Sequence, residues 1–151
     1  MFRGVNKLAV DTKGRLAMPT RYRERLAEVC AAQLVITIDT DRCLLIYPLP
    51  EWQEIERKLM QLPSFNKTAR RLQRLLVGHA TEVELDGQGR LLLPPPLREF
   101  AGIDKQAVLI GQGNKFELWD EGRWESQRDE WLQEVDFDSL ELPAELETLS
   151  I

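Results

Sequence analysis

Asp11, Lys13, Gly14 and Arg15 stand within five residues of one another, and Asp86, Gly89 and Arg90 repeat the spacing seventy-five positions later. The stretches read DTKGRLAMP (11–19) and DGQGRLLLP (86–94), sharing the pattern D-x-x-G-R-L-x-x-P. Two kinds of chemistry suit an arginine in such a turn. Its planar guanidinium can bond both acceptors of a guanine in the DNA major groove, worth ~1–3 kcal/mol of base discrimination. It can instead close an ion pair with the aspartate four residues before it and hold the turn in register.

A third chemistry, two turn aspartates sharing a proton as in aspartic proteases, fits poorly. Those enzymes carry D-T/S-G, whereas here Lys13 is inserted and Arg15 stands where it would neutralise the carboxylate. No nucleophile and base pair or phosphate-binding glycine loop replaces it, so no enzymatic activity is expected. Cys30 and Cys43 are too few for a disulfide framework, and His79 is the only histidine, so neither a metal site nor a cofactor is expected.

The elements that must position these residues also come twice. Arg23 and Glu24 correspond to Arg98 and Glu99; Gln33, Val35 and Ile36 to Gln106, Val108 and Leu109; Ile46, Tyr47 and Trp52 to Leu118, Trp119 and Trp124. Such self-similarity marks a tandem duplication. In each copy, apolar residues on either side of the motif predict two strands joined as a β-hairpin, with Gly14 and Gly89 supplying a positive φ. Pro19, and Pro95 or Pro96, suit the first turn of a short helix. The runs LVITID and CLLIYP, then AVLIG and FELWD, predict a second hairpin, so each unit reads β-β-α-β-β. One such unit buries too little surface to stand alone, and two packed about a pseudo-twofold axis solve this.

Between the copies, Trp52, Ile55, Leu59 and Leu62 recur at helical spacing, Pro63 breaks the pattern, and Leu72, Leu75 and Leu76 resume it. The expected organisation is therefore a first repeat at 5–52, a helical connector at 53–80, a second repeat at 81–124, and an amphipathic helix with an acidic tail at 125–151. In the connector, Lys67, Arg70, Arg71 and Arg74 fall on one helix face, equally suited to phosphates and to acidic helices of another subunit.

The net charge of −5 conceals an asymmetry: residues 1–75 hold 14 Lys and Arg against 8 Asp and Glu, and the remainder 6 against 17. A basic half paired with an acidic one is a recognised sign of a nucleic-acid face, or of halves that attract one another within an oligomer. No apolar run approaches the ~18 residues of a membrane span, and the N-terminus lacks a signal-peptide pattern, so a cytoplasmic protein is expected.

D-x-x-G-R followed by L-x-x-P and a short Arg/Glu helix resembles the AbrB-like, or SpoVT-AbrB, family of swapped-hairpin DNA-binding domains. Two such units in one chain beginning MFRG resemble the MraZ family of bacterial transcriptional regulators, over about residues 1–125. The resemblance rests on Asp11, Gly14, Arg15, Leu16 and Pro19, with Asp86, Gly89, Arg90 and Pro94 in the second copy. It implies an α+β fold in which tandem swapped-hairpin units form a pseudo-twofold β-barrel with flanking helices. It also implies a homo-oligomeric ring that binds repeated sites in promoter DNA and represses its own division and cell-wall operon, placing the protein at the nucleoid. The competing reading is a non-enzymatic oligomeric adaptor that binds protein partners; neither reading calls for a small-molecule substrate or a membrane.

Within that frame Arg15 and Lys13 are the expected DNA contacts, with Arg3, Lys7, Arg21, Arg23 and Arg25 near in sequence to hold phosphates. Arg90 has Gln88 where the first copy has Lys13, and Glu82, Glu84 and Asp86 precede it. We therefore expect Asp86, Gly89 and Arg90, like Asp11 and Gly14, to serve the turn itself. Arg90 then mainly completes the barrel.

Overall fold

The computed structural model describes residues 1–134, so of the amphipathic helix and acidic tail expected at 125–151 the tail lies outside the described residues. Residues 1–121 make one compact unit, and from Gly122 onward the chain belongs to a second. The described part of the second unit is most of a single helix, α5 (Glu121–Glu134), in which Trp124 and Trp131 meet edge to face at 6.2 Å.

The first repeat supplies β1 (Phe2–Ala9), β2 (Arg15–Ala17), α1 (Thr20–Cys30), β3 (Gln33–Ile38) and β4 (Leu44–Pro48). The connector holds α2 (Leu49–Met60) and α3 (Lys67–Leu72), the latter running into a π-helical turn at Gln73–Val77. The second repeat gives β5 (Thr81–Glu84), β6 (Arg90–Leu92), α4 (Pro95–Ala101), β7 (Gln106–Gly113) and β8 (Phe116–Asp120). The β-β-α-β-β reading of each copy thus matches the observed order. Pro95 and Pro96 open α4 as expected, but Pro19 stands just before α1 rather than in its first turn, the place Pro94 holds before α4.

Strand pairing departs from the expected hairpins in one respect. β1 and β2 do not pair with each other: β1 lies antiparallel to β7 from Phe2↔Gly113 to Ala9↔Gln106, and β2 pairs with β6. Reciprocally, β5 pairs with β3. The first strand of each repeat therefore hydrogen-bonds to the third strand of the other. The physical reason is length: the short β2 could satisfy little of the eight-residue β1, whereas β7 matches it residue for residue. The six-stranded sheet runs β1-β7-β8-β4-β3-β5, an order that reads the same when the repeats are exchanged; β2 and β6 make a separate two-stranded sheet. Among the described residues, β1 and β5 are the edge strands of the six-stranded sheet.

The core lies between the two sheets and the helices α1 and α4. Leu16, Met18 and Leu26 of the first repeat meet Leu91, Leu93 and Leu97 of the second, all at 3% exposure or less. At one end Phe2, Tyr22 and Phe116 pack as an aromatic trio, with Phe2 and Phe116 ring centroids 4.4 Å apart. On the outer side Val35, Leu45 and Tyr47 pack against Trp52 of the connector. The π-helical turn has a tertiary cause: buried Thr37 donates from Oγ1 to the Leu76 carbonyl at 2.6 Å, and Gly78 N–H reaches back to the Gln73 carbonyl.

Candidate nucleic-acid interface

The two D-x-x-G-R turns have the same hydrogen bonds. Asp11 Oδ1 accepts from the Lys13 and Arg15 amides at 2.9 Å each, and Oδ2 accepts from Arg15 Nε at 2.8 Å. Asp86 Oδ1 accepts from the Gln88 and Arg90 amides at 2.9 Å each, and Oδ2 from Arg90 Nε at 2.9 Å. Gly14 and Gly89, at φ +88° and +73°, let the chain turn back beneath the carboxylates. The Arg15 amide, and then its guanidinium, hold the Asp11 carboxyl at about 2, and the Arg90 amide lowers Asp86 in the same way. A proton-sharing acid pair needs one raised carboxyl; here both are lowered.

Ion pairing and DNA contact are not alternatives for these arginines. Aspartate occupies only Nε, and among the described residues the terminal guanidinium nitrogens of Arg15 and Arg90 have no hydrogen-bond partner. The aspartate fixes the direction of a side chain whose outer edge stays open.

Both arginines look the same way. In the β2–β6 ribbon Arg15 stands opposite Leu92, Leu16 opposite Leu91, and Ala17 opposite Arg90. Opposed residues share a face and neighbours alternate. Leu16 and Leu91 point into the core, so Arg15, Ala17, Arg90 and Leu92 form the outer face, with Leu92 55% exposed. The arginines are diagonal neighbours on that face, roughly 7–8 Å apart at the backbone.

The helices beside the turns are exchanged between repeats. Arg23 of α1 donates from Nη1 to the Gln88 carbonyl at 3.1 Å and packs over Gly89. Arg98 of α4, its repeat equivalent, lies over Gly14. The Met18 amide bonds the Gly89 carbonyl, and the Leu93 amide the Gly14 carbonyl. As a result Lys13 borders one cleft of about 400 Å³ with Arg98, Glu99 and Asp104, and another with Glu84 and Leu92.

The other residues expected at the interface are distributed elsewhere. Arg21 donates to Asn6 Oδ1 at 2.9 Å and to the Tyr22 hydroxyl at 2.8 Å, while Tyr22 OH bonds the Arg3 carbonyl. Arg3, Arg21 and Arg25 border a cavity of about 270 Å³. Arg3 is six residues of strand from the end of β1, or about 20 Å. Lys7 lies 4.0 Å from Glu121. The structure thus brings together Arg15, Arg90 and Leu92 in one group and Arg3, Arg21 and Arg25 in a second. Leu92 and Arg98 do not stand out in the sequence as interface residues; only the strand register and the exchanged helices bring them to these positions.

Among the described residues, one trio of metal-ligating types lies together: Asp39, Cys43 and Glu117. Burial, with Glu117 and Asp39 beside it, pushes the Cys43 thiol up, and it donates to Asp39. No described helix is long and apolar enough to cross a membrane.

Comparison with known proteins agrees with the duplication. The family model described as "MraZ protein, putative antitoxin-like" matches residues 1–75 and again residues 76–142. The chain belongs to the MraZ family. The MraZ matches divide the chain within the π-helical turn of the connector. Its relatives include the protein named transcriptional regulator MraZ of Thioalkalivibrio sulfidiphilus, 64% identical over 151 residues and covering all of both chains. The protein of that name in Halorhodospira halophila is 61% identical over 152 residues, again covering both chains fully. That of Methylococcus capsulatus is 63% identical over 141 residues, 93% of each chain.

Proposed function

We propose that the chain is a sequence-specific DNA-binding regulator of transcription. The observation that carries this reading is Arg15: its Nε is held by Asp11 and its outer guanidinium edge is open beside exposed Lys13. An arginine oriented in advance loses little freedom on binding a guanine edge. Family membership and the names of the relatives support the same reading.

In this proposal Arg15 reads bases and Lys13, Arg3, Lys7 and Arg21 contact phosphates, while Asp11, Gly14, Asp86 and Gly89 hold the turns. The regulator represses the division and cell-wall operon that contains its own gene, at the nucleoid. It acts as a homo-oligomeric ring on repeated promoter sites, because a unit with few cations gains affinity when several are tethered to several sites. The finer fold implied by the resemblance, swapped hairpins completing a barrel, belongs to this proposal, as does the division at 5–52, 53–80, 81–124 and 125–151.

The test is retardation of duplex DNA from upstream of the chain's own gene, measured between about 50 and 200 mM salt, with native mass measurement of the complex. The reading expects retardation that weakens steeply with salt, requires Arg15 and needs more than one site. Absence of binding to any promoter fragment at low salt would favour the adaptor that binds protein partners.

A further inference from the structure

We propose that Arg90 is a second DNA-reading arginine, and that the outer face of the β2–β6 ribbon, carrying Arg15, Leu92 and Arg90, is one reading surface made by both repeats. The inference rests on the DNA-binding reading above and extends it to the second repeat.

Three observations carry it. First, the two turns are geometrically the same, so whatever orients Arg15 orients Arg90: an aspartate on Nε and an open outer edge. Their side chains are also equally accessible, at 31% and 34%. Second, the register puts both arginines on the solvent face of a single two-stranded ribbon, as diagonal neighbours. A two-stranded β-ribbon fits the major groove, and a duplex that meets one arginine of such a ribbon is within reach of the other.

Third, the acidic surroundings inferred for Arg90 from the linear sequence are redistributed in space. Glu84 borders the cleft that holds Lys13, and Glu99 and Asp104 also stand on the Lys13 side. The turn that carries Arg90 instead meets α1, whose Arg23 bonds the Gln88 carbonyl and brings a cation from the basic half of the chain. The exchanged helices thereby set a cation beside the Arg90 turn and carboxylates beside Lys13. Between the arginines, Leu92 is a large apolar side chain in solvent, and an apolar contact of that kind suits a thymine methyl. Its counterpart Ala17 presents only a methyl group, so the surface is pseudo-symmetric in its arginines and asymmetric in its apolar contacts.

The experiment compares the full-length protein with R15A, R90A and R90K on the promoter duplex, and repeats the titration with 7-deazaguanine, which lacks the N7 acceptor, at each guanine of the site in turn. Thermal unfolding of every variant reports whether it is folded. We expect R90A to weaken binding by roughly 5- to 150-fold. At least one guanine whose N7 removal weakens wild-type binding should become indifferent to it in R90A, while another guanine keeps its effect there. R90K, which keeps the charge without the fork, should lose the same guanine preference.

A folded R90A that binds as tightly as wild type, to a duplex that R15A fails to bind, overturns the proposal and leaves the regulator reading standing. Weakened binding in R90A with every guanine preference unchanged overturns it too, because a purely structural Arg90 would act that way. Failure of the wild-type protein to bind any promoter duplex removes the reading beneath it.

Discussion

Leu16 and Leu91 face each other across the two-stranded sheet, one from each repeat, at 1% and 0% exposure. They sit at the same position of the repeated motif, directly beneath the face that carries both arginines. The stability of the two halves and the geometry of the proposed reading surface therefore depend on one pair of side chains. Leu16→Ala and Leu91→Ala should each lower stability by about 2–5 kcal/mol. Because they empty the same space, the double variant should lose measurably less than the two losses combined. Urea unfolding of the three variants measures this coupling, and strict additivity would contradict it.

The glycines of the two turns should not be equally replaceable. Both have positive φ, so alanine at either costs on the order of 1 kcal/mol in backbone strain. A β-carbon at Gly14 would meet Arg98 Nη1 at 3.4 Å, an ordinary contact; one at Gly89 would press into the Arg23 stem, 2.5 Å from Nε. Thermal unfolding should show Gly89→Ala more damaging than Gly14→Ala, and Arg23→Ala should reduce the difference. Equal losses at the two glycines would show that Arg23 moves aside freely.

At the end of α1 the cap residue Ala31 has φ +51°, whereas α4 ends on Gly102 at φ +64°. A left-handed alanine is strained where glycine is at ease, although glycine also gives the unfolded chain more freedom. Ala31→Gly should therefore raise stability by a few tenths to about 1 kcal/mol, read as an increase in denaturation midpoint. A decrease would mean that the strain at Ala31 is already relieved.

The Asp11 carboxyl, held at about 2 against an ordinary 3.8, gives a prediction with a definite sign. A carboxyl lowered in the folded state contributes stability that is present above its unfolded pKa and lost as pH falls through the folded one. The advantage of wild type over Asp11→Asn should hold above about pH 4 and fade toward pH 2. Asp86 is also lowered, by the Arg90 amide first, so its contribution too should be lost on acidification. Carboxyl resonances followed by NMR would contradict this if Asp11 titrated near 4.

The repeat, the element order and the turn chemistry could be read from the sequence, because they depend on local facts: a glycine that must take positive φ, an aspartate four residues before an arginine, apolar runs of strand length. The run CLLIYP, read as a strand, forms β4 from Leu44 onward and is buried throughout. Which strand pairs with which was not local. Nothing near Phe2 in the sequence says that it will lie beside Gly113, and the adjacency of β1 and β2 suggested a hairpin between them instead. The same non-locality affected the site. Arg90 was judged by Glu82 and Glu84, its neighbours in sequence, while its turn is packed against Arg23, its neighbour in space. The π-helical turn also escaped notice, since its cause is a hydrogen bond from Thr37, 39 residues away.

The pairing of Phe2 with Gly113 sets an order of events during synthesis. β1 leaves the ribosome well before its partner β7, since Phe2 and Gly113 are more than a hundred residues apart. At ~5–20 residues per second, β1 waits roughly 6–20 s without its partner. For that interval Phe2, Leu8 and Val10 are exposed on a nascent chain that cannot yet complete its sheet. A newly made molecule is therefore most open to chaperone capture, or to strand pairing with a neighbouring nascent copy, just before β7 appears.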